Sequence, residues 1–285
     1  MAGKLMKPKL GGAVYVLPNL ITTGNLFFGY FSIVKSLQGD LRGASLAILL
    51  ASIFDVLDGR VARLTGGTSE FGVQYDSLCD LVSFGLAPAI LMYQGGLGTL
   101  GRLGWSICFL FLACGALRLA RFNVQSAIGK ASGDFTGLPI PMAAAVVATF
   151  MAVITDITYG DFAFLVSQYF IRFFPNGTLQ IGFYSVVGVA LALAMVSNIV
   201  YRSHKSIKIA GIKPFKLLVV LVVAVGMIAY QPELFGFLFF FLYALSGPVE
   251  WLLGWRKPTE EEEIFATGDE ASIEAEEDKN DSSRF

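Results

Sequence analysis

The sequence predicts an all-α fold, a polytopic membrane helix bundle of about eight transmembrane helices. Four observations carry that expectation. Of 285 residues, 55% are hydrophobic and only 15% are charged, where soluble domains carry about 25% charged residues. The mean hydropathy is +0.65. Apolar stretches recur along the chain, most of them about 20 residues long, the length a helix needs to cross ~30 Å of hydrocarbon. Lys and Arg fall unevenly between the turns that separate these stretches, as they do in membrane proteins with a fixed orientation.

Taken in order, the predicted spans are 17–37, 43–64, 72–95, 103–122, 138–158, 179–201, 215–230 and 233–253. The seventh is short, and Gln231-Pro232 separates it from the eighth, so these two form a tight helical hairpin. Between the fifth and sixth, the stretch 159–178 is rich in aromatic residues and suits the membrane interface, where Phe and Tyr settle well. With the N-terminus in the cytoplasm, fifteen basic residues fall on the cytoplasmic side and four (Lys35, Arg42, Arg102 and Arg172) fall outside. That arrangement obeys the positive-inside rule. The organisation that results is a basic cytoplasmic N-terminus (1–16), a six-helix core (17–201), a basic loop with two further transmembrane helices (202–258) and a tail (259–285).

The net charge of -1 conceals a sharp division: residues 1–258 sum to +8 and residues 259–285 to -9. Dense like charge with few apolar residues predicts a disordered tail. The basic loop 202–216 suits anionic lipid headgroups. Cys79, Cys108 and Cys114 sit in apolar segments at no metal-like spacing and read as buried small side chains rather than disulfides. His204, the single histidine, reads as loop surface. The N-terminus starts with Lys4, Lys7 and Lys9, but the first apolar segment carries Thr22, Thr23 and Asn25 and ends without a small-x-small site, which argues against a cleaved signal.

Against this apolar background, four carboxylates stand out. The second span ends in Asp55-Val56-Leu57-Asp58-Gly59-Arg60-Val61-Ala62-Arg63, and the third begins with Gly72-Val73-Gln74-Tyr75-Asp76-Ser77-Leu78-Cys79-Asp80. Acids at such depth are costly and mark function by default. At about 100° per residue, positions 55, 58 and 62 share one stripe, and 76 and 80 stack one turn apart. Four like charges facing each other repel, and bound divalent cations remove that repulsion. The stretch therefore reads as a metal site, placed at the cytoplasmic ends of the second and third helices. Acids also mark ion paths, so a cation transporter is the remote alternative. A transporter, however, predicts acids spread over several helices and depths, whereas these four cluster at one face.

The pattern D-x2-D-G-x2-A-R-x8-G-x3-D-x3-D, filled by Asp55, Asp58, Gly59, Ala62, Arg63, Gly72, Asp76 and Asp80, resembles the signature of the CDP-alcohol phosphatidyltransferases at every fixed position. The resemblance implies an enzyme using two metal ions, Mg²⁺ or Mn²⁺. Asp55, Asp58, Asp76 and Asp80 would be the ligands, and Asp80 would also be the general base. It implies CDP-lipid binding by Gly59, Arg63 and Ser69, helped by Asn19 and Thr22 of a Pro18-Asn19-x-x-Thr22 run. Physical chemistry agrees with these assignments. Hard oxygen ligands suit Mg²⁺ or Mn²⁺, and two metals can clamp the attacking and leaving oxygens of a displacement at phosphorus. Gly59, Ala62 and Gly72 leave room for a nucleotide, and they would equally serve close helix packing. Arg63 can hold a pyrophosphate oxygen.

The signature defines the donor, a CDP-linked lipid, and leaves the acceptor open. Further stretches resemble the bacterial-type phosphatidylserine synthases: Arg118-Leu119-Ala120-Arg121-Phe122-Asn123, Phe135 through Pro141, Val196 through Lys205, and Tyr243 through Pro248. That likeness implies phosphatidyl transfer from CDP-diacylglycerol to L-serine with release of CMP, in a homodimer of the bacterial inner membrane. Arg118 and Arg121 offer planar donors for the serine carboxylate, and they would also serve as topogenic charges or bind lipid phosphate. Glycerol 3-phosphate or inositol phosphate are the alternative acceptors, and these would want a denser basic pocket. Membrane lipids are expected partners and nucleic acid is not. The acidic tail is no part of the resemblance.

Overall fold

The computed structural model describes residues 13–67, 69–127, 135–159, 178–201 and 230–253, with single helical positions at 222 and 226. The expectations for the N-terminal segment, the aromatic stretch between the fifth and sixth spans, the basic loop, the acidic tail and His204 fall outside these residues, as does most of the seventh span. The described helices are α1 (Ala13–Leu37), α2 (Leu41–Thr65), α3 (Glu70–Asp80), α4 (Ala87–Gln94), α5 (Arg102–Ala127), α6 (Ile140–Tyr159), α7 (Thr178–Val196) and α8 (Pro232–Leu252). Residues 1–247 form one compact unit and residues 248–285 a second. The described part of the second unit is helical up to Leu252 and exposes Val249, Trp251, Leu252 and Leu253.

The chain is a helical membrane protein. Among the described residues, three helices are long and apolar enough to cross a bilayer: Glu70–Gln94, Arg102–Ser126 and Pro232–Leu252. Ile140–Thr155 and Ile181–Val196 are shorter apolar helices. In α1 and α2 the motif's polar and charged residues lower the hydropathy. Large apolar side chains such as Val16, Leu20, Phe27, Phe109 and Val186 are exposed on the outside of the bundle, where acyl chains rather than water are the solvent.

Local chemistry sets the helix ends. Between α1 and α2 the chain turns at Gly39, with φ of +81°. Asp40 then caps α2 by accepting the Gly43 amide at 2.9 Å, and it pairs with Lys35 at 3.0 Å. The Gly43 amide and the Lys35 ammonium together hold the Asp40 carboxyl below the usual carboxylate range. Gly66 closes α2 in the left-handed conformation, φ +67°, and its N–H reaches the Ala62 carbonyl. Ser69 caps α3 by accepting the Gly72 amide at 3.0 Å.

Small residues let the helices approach closely. Ala44, Ala47 and Ala51 of α2 are buried around Ile48. On α1, a Cβ added at Gly24 would meet the Phe54 ring at 2.5 Å, and one at Gly29 would collide with Ser83. Helix α6 is buried on nearly every side from Ala143 to Phe150, the pattern of a central helix. Tyr184 of α7 is fully buried and donates to the Val147 carbonyl at 3.3 Å. Beside it the Phe150 and Phe183 rings stack at 3.6 Å. Cys79, Cys108 and Cys114 are buried and free, as expected.

Two features differ from the sequence expectation. The third span is not one uniform α-helix, because Leu81–Leu86 adopts π-helical geometry between α3 and α4. The chain also contains a minimal antiparallel ribbon: Phe135–Thr136 (β1) pairs with Val200–Tyr201 (β2). Pairing of two residues is too short to leave a period-2 signal. The ribbon ties the entry to α6 to the exit from α7, where Gly137, φ +79°, donates to the Ile199 carbonyl at 2.8 Å.

Candidate active site

Helices α1, α2 and α3 and the end of α5 build the site. The left-handed turn at Gly66 and the Ser69 cap reverse the chain, so that the last turns of α2 face α3. Carboxylate oxygens of Asp55, Asp76 and Asp80 lie within 4.8 Å of one another. Asp58 is outside that triangle but close enough to Asp55 and Asp76 to repel both, and the Thr22 hydroxyl rests against it. Asp58 and Asp80 are 4% and 8% exposed, so the repulsion is not dissipated in solvent.

The donor set fits a divalent cation. It consists of carboxylate oxygens, converging from two helices at metal-like spacing. Two of the carboxylate oxygens, Asp58 Oδ2 and Asp76 Oδ1, are buried and accept no hydrogen bond from the described residues. In a closed structural network such atoms would be satisfied by protein donors. A divalent cation held by the carboxylate cluster would supply the missing partner.

The motif's glycines and arginine lie on the same helices as the acids. A Cβ at Gly59 would meet nothing closer than Arg63 Nη2 at 3.9 Å, so the helix face there is open. Arg63 is exposed and Ala62 half-buried. Gly72 sits in a tighter place, where a Cβ would approach Ser69 Oγ at 3.2 Å and Asn19 Oδ1 at 3.4 Å. Asn19, Ser69 and Gly72 are thus neighbours, although they come from two helices and a turn. Thr22 is buried and donates to the Pro18 carbonyl at 3.1 Å.

The two arginines diverge. Arg118 is 8% exposed, lies within electrostatic reach of Asp80, Tyr243 and Asp55, and stands over the Phe122 ring at 5.7 Å. Its Nε has no hydrogen-bond partner among the described residues. Arg121 instead donates to the carbonyls of Val196 at 2.9 Å and Ser197 at 3.3 Å and to Asn198 Oδ1 at 3.3 Å. A guanidinium on the last carbonyls of α7 satisfies orphan acceptors and complements the helix dipole.

Sequence reasoning did not assign a role to three polar residues at the site. Asn25, wholly buried, donates through Nδ2 to Asp80 Oδ1 at 2.9 Å. Ser83 donates to the Asn25 backbone carbonyl at 3.0 Å. Asn123 bridges α5 to α3 through Ser77 at 2.9 Å. Asn25 carried a usable signal, since an amide amid apolar helix must find a partner. Ser83 and Asn123 carried none.

Comparison with known proteins agrees with this geometry. The CDP-alcohol phosphatidyltransferase family model matches residues 15–173. The chain belongs to that family. It is 34% identical over 239 residues to the CDP-diacylglycerol–serine O-phosphatidyltransferase of Helicobacter pylori, covering 84% of this chain and 92% of the relative. The protein of the same description from Methanocaldococcus jannaschii is 33% identical over 212 residues, 70% of this chain and 90% of the relative. The archaetidylserine synthase of Methanothermobacter thermautotrophicus is 43% identical over 148 residues, 51% of this chain and 62% of the relative.

Proposed function

We infer that this chain transfers the phosphatidyl group of CDP-diacylglycerol to the hydroxyl of L-serine, releasing CMP. The observation that carries the chemistry is the convergence of Asp55, Asp76 and Asp80 within 4.8 Å, beside an open helix face at Gly59. The likeness to serine O-phosphatidyltransferases over most of both chains supports the acceptor.

In this reading Asp55, Asp58, Asp76 and Asp80 hold two divalent cations, Mg²⁺ or Mn²⁺. Bound there, the cations supply positive charge to the diphosphate oxygens of the donor. The CDP moiety lies along the face opened by Gly59 and Ala62, with Arg63, Asn19, Thr22, Ser69 and Gly72 around it. Ser69 also caps α3, so its contribution is to fix the helix start next to the nucleotide. Asp80 takes the proton from the serine hydroxyl as that oxygen bonds to the phosphatidyl phosphorus. The bond from phosphorus to the CMP oxygen breaks, and CMP leaves with the electron pair. Arg118, whose guanidinium is within electrostatic reach of Asp80 and Asp55, binds the serine carboxylate. Arg121, expected from sequence to share that task, holds the end of α7 in place and supports the pocket indirectly.

The eight-span layout, with the N-terminus and site facing the cytoplasm of a bacterial inner membrane, rests on the distribution of Lys and Arg. A homodimer is part of the same proposal. The experiment is CMP release by purified protein from CDP-diacylglycerol with L-serine, glycerol 3-phosphate or inositol phosphate as acceptor. L-serine is expected to be used fastest. Faster release with glycerol 3-phosphate would overturn the acceptor and leave the family chemistry standing.

A further inference from the structure

Asn25 has two ends, and only one of them is used. Its Nδ2 donates to Asp80 Oδ1 at 2.9 Å, while its Oδ1 is buried and accepts nothing from the described residues. The residue is wholly buried, and Ser83 fixes its backbone carbonyl at 3.0 Å. An unpartnered amide oxygen in such surroundings carries the full cost of its desolvation. Because Nδ2 and Oδ1 share one planar carbon, the donor bond to Asp80 leaves the acceptor atom next to the same carboxylate. An acceptor molecule that brings its hydroxyl to Asp80 therefore brings its remaining groups near Asn25 Oδ1.

We propose that Asn25 Oδ1 accepts a hydrogen bond from the ammonium of the amino-acid acceptor, making Asn25 a specificity-determining residue that selects for an α-amino group. This inference rests on the serine reading above and adds a recognition element to it. The three groups of serine then meet three different side chains: the hydroxyl meets Asp80, the carboxylate Arg118 and the ammonium Asn25. Chemistry favours this division. An ammonium is donor-only, and the amide oxygen is an acceptor that neither repels it nor, unlike a carboxylate, adds a further negative charge beside the four aspartates. A site built to bond a substrate donor rejects the analogue lacking it, because its own buried group is then left unpaired.

The test compares kcat/KM for L-serine, 3-hydroxypropanoate, which lacks the ammonium, and ethanolamine, which lacks the carboxylate. It uses the purified full-length protein in detergent with Mn²⁺ and CDP-diacylglycerol. Wild type is expected to prefer L-serine to 3-hydroxypropanoate strongly. In Asn25→Ala that preference should shrink by about tenfold or more, the scale of a hydrogen bond to a charged group, while the preference for L-serine over ethanolamine stays as in wild type. Asn25→Ser is assayed alongside, so that loss of fold in one variant leaves the ratio measurable in the other. A uniform fall for all three acceptors, with unchanged ratios in a folded variant, would overturn the proposal and leave Asn25 as a support for Asp80 alone. So would a wild type that uses 3-hydroxypropanoate as well as L-serine. A wild type that releases no CMP with L-serine instead overturns the acceptor reading itself.

Discussion

Gly59→Ala separates two roles that a glycine in a membrane helix can play. If Gly59 lets helices pack, a methyl group there must collide with something. If it keeps a substrate groove open, the methyl costs nothing until substrate arrives. The structure favours the second, since the added Cβ lies in open space apart from Arg63 Nη2 at 3.9 Å. Gly24 is the contrasting case, its Cβ falling 2.5 Å from the Phe54 ring. Replacing glycine by alanine inside a helix is worth about 0.8–1 kcal/mol in intrinsic propensity, and no packing penalty offsets it at position 59. Gly59→Ala should therefore unfold in detergent at the same or slightly higher temperature than wild type. Its KM for CDP-diacylglycerol should rise about tenfold or more, equivalent to at least ~1.4 kcal/mol of lost donor binding. Gly24→Ala should lower the unfolding temperature. A Gly59→Ala protein with wild-type donor KM would refute the assignment of that groove to the nucleotide, and one that unfolds early would return Gly59 to packing.

Four further outcomes are expected. Asp76→Asn or Asp58→Asn should lose nearly all turnover, and EDTA should abolish wild-type activity until Mg²⁺ or Mn²⁺ is restored; full activity in EDTA rules out the two-metal scheme. Asp80→Asn should lower kcat by about 10²–10⁴-fold, the usual worth of a positioned base, with little change in donor affinity measured by CDP-lipid titration. Arg118→Ala should raise the serine KM, whereas Arg121→Ala should mainly lower the unfolding temperature, because its partners are the Val196 and Ser197 carbonyls; the reverse pattern would exchange their roles. Truncation after Lys257 should leave activity and membrane insertion intact, as a tail of dense like charge buries little, and CMP release by the shortened protein checks this.

How far the sequence could be read depended on the range of each interaction. The four aspartates and their glycines were legible because their spacing is local to one helix turn or two, and charge is conspicuous in an apolar context. Helices α1, α2, α5 and α6 follow their apolar stretches closely for the same reason. Partners across helices were not legible. Asn25 and Asp80 are 55 residues apart, and nothing in either stretch names the other. Arg118 and Arg121 look alike in sequence, three apart on one helix. They separate only when α7 ends beside one of them and the acids lie beside the other. The pairing of Phe135–Thr136 with Val200–Tyr201 joins segments too short to register as strands at all.

The π-helical stretch Leu81–Leu86 begins at the residue after Asp80. A π turn takes up an extra residue, so the helix beyond it is indexed differently from the helix before it. Asp76 and Asp80 point into the site from the first half, while Ala87, Leu91 and Met92 pack into the core from the second. The two halves are in effect separate gears on one shaft, joined at a fixed offset. Were the six residues Leu81–Leu86 to revert to ordinary α-helical bonding with none removed, the acid-bearing half would turn by about 100° against the packed half. The register of the two acids against the packed core is thus set by the π-helical bonding of Leu81–Leu86, and Ser83 within that stretch also holds the Asn25 carbonyl.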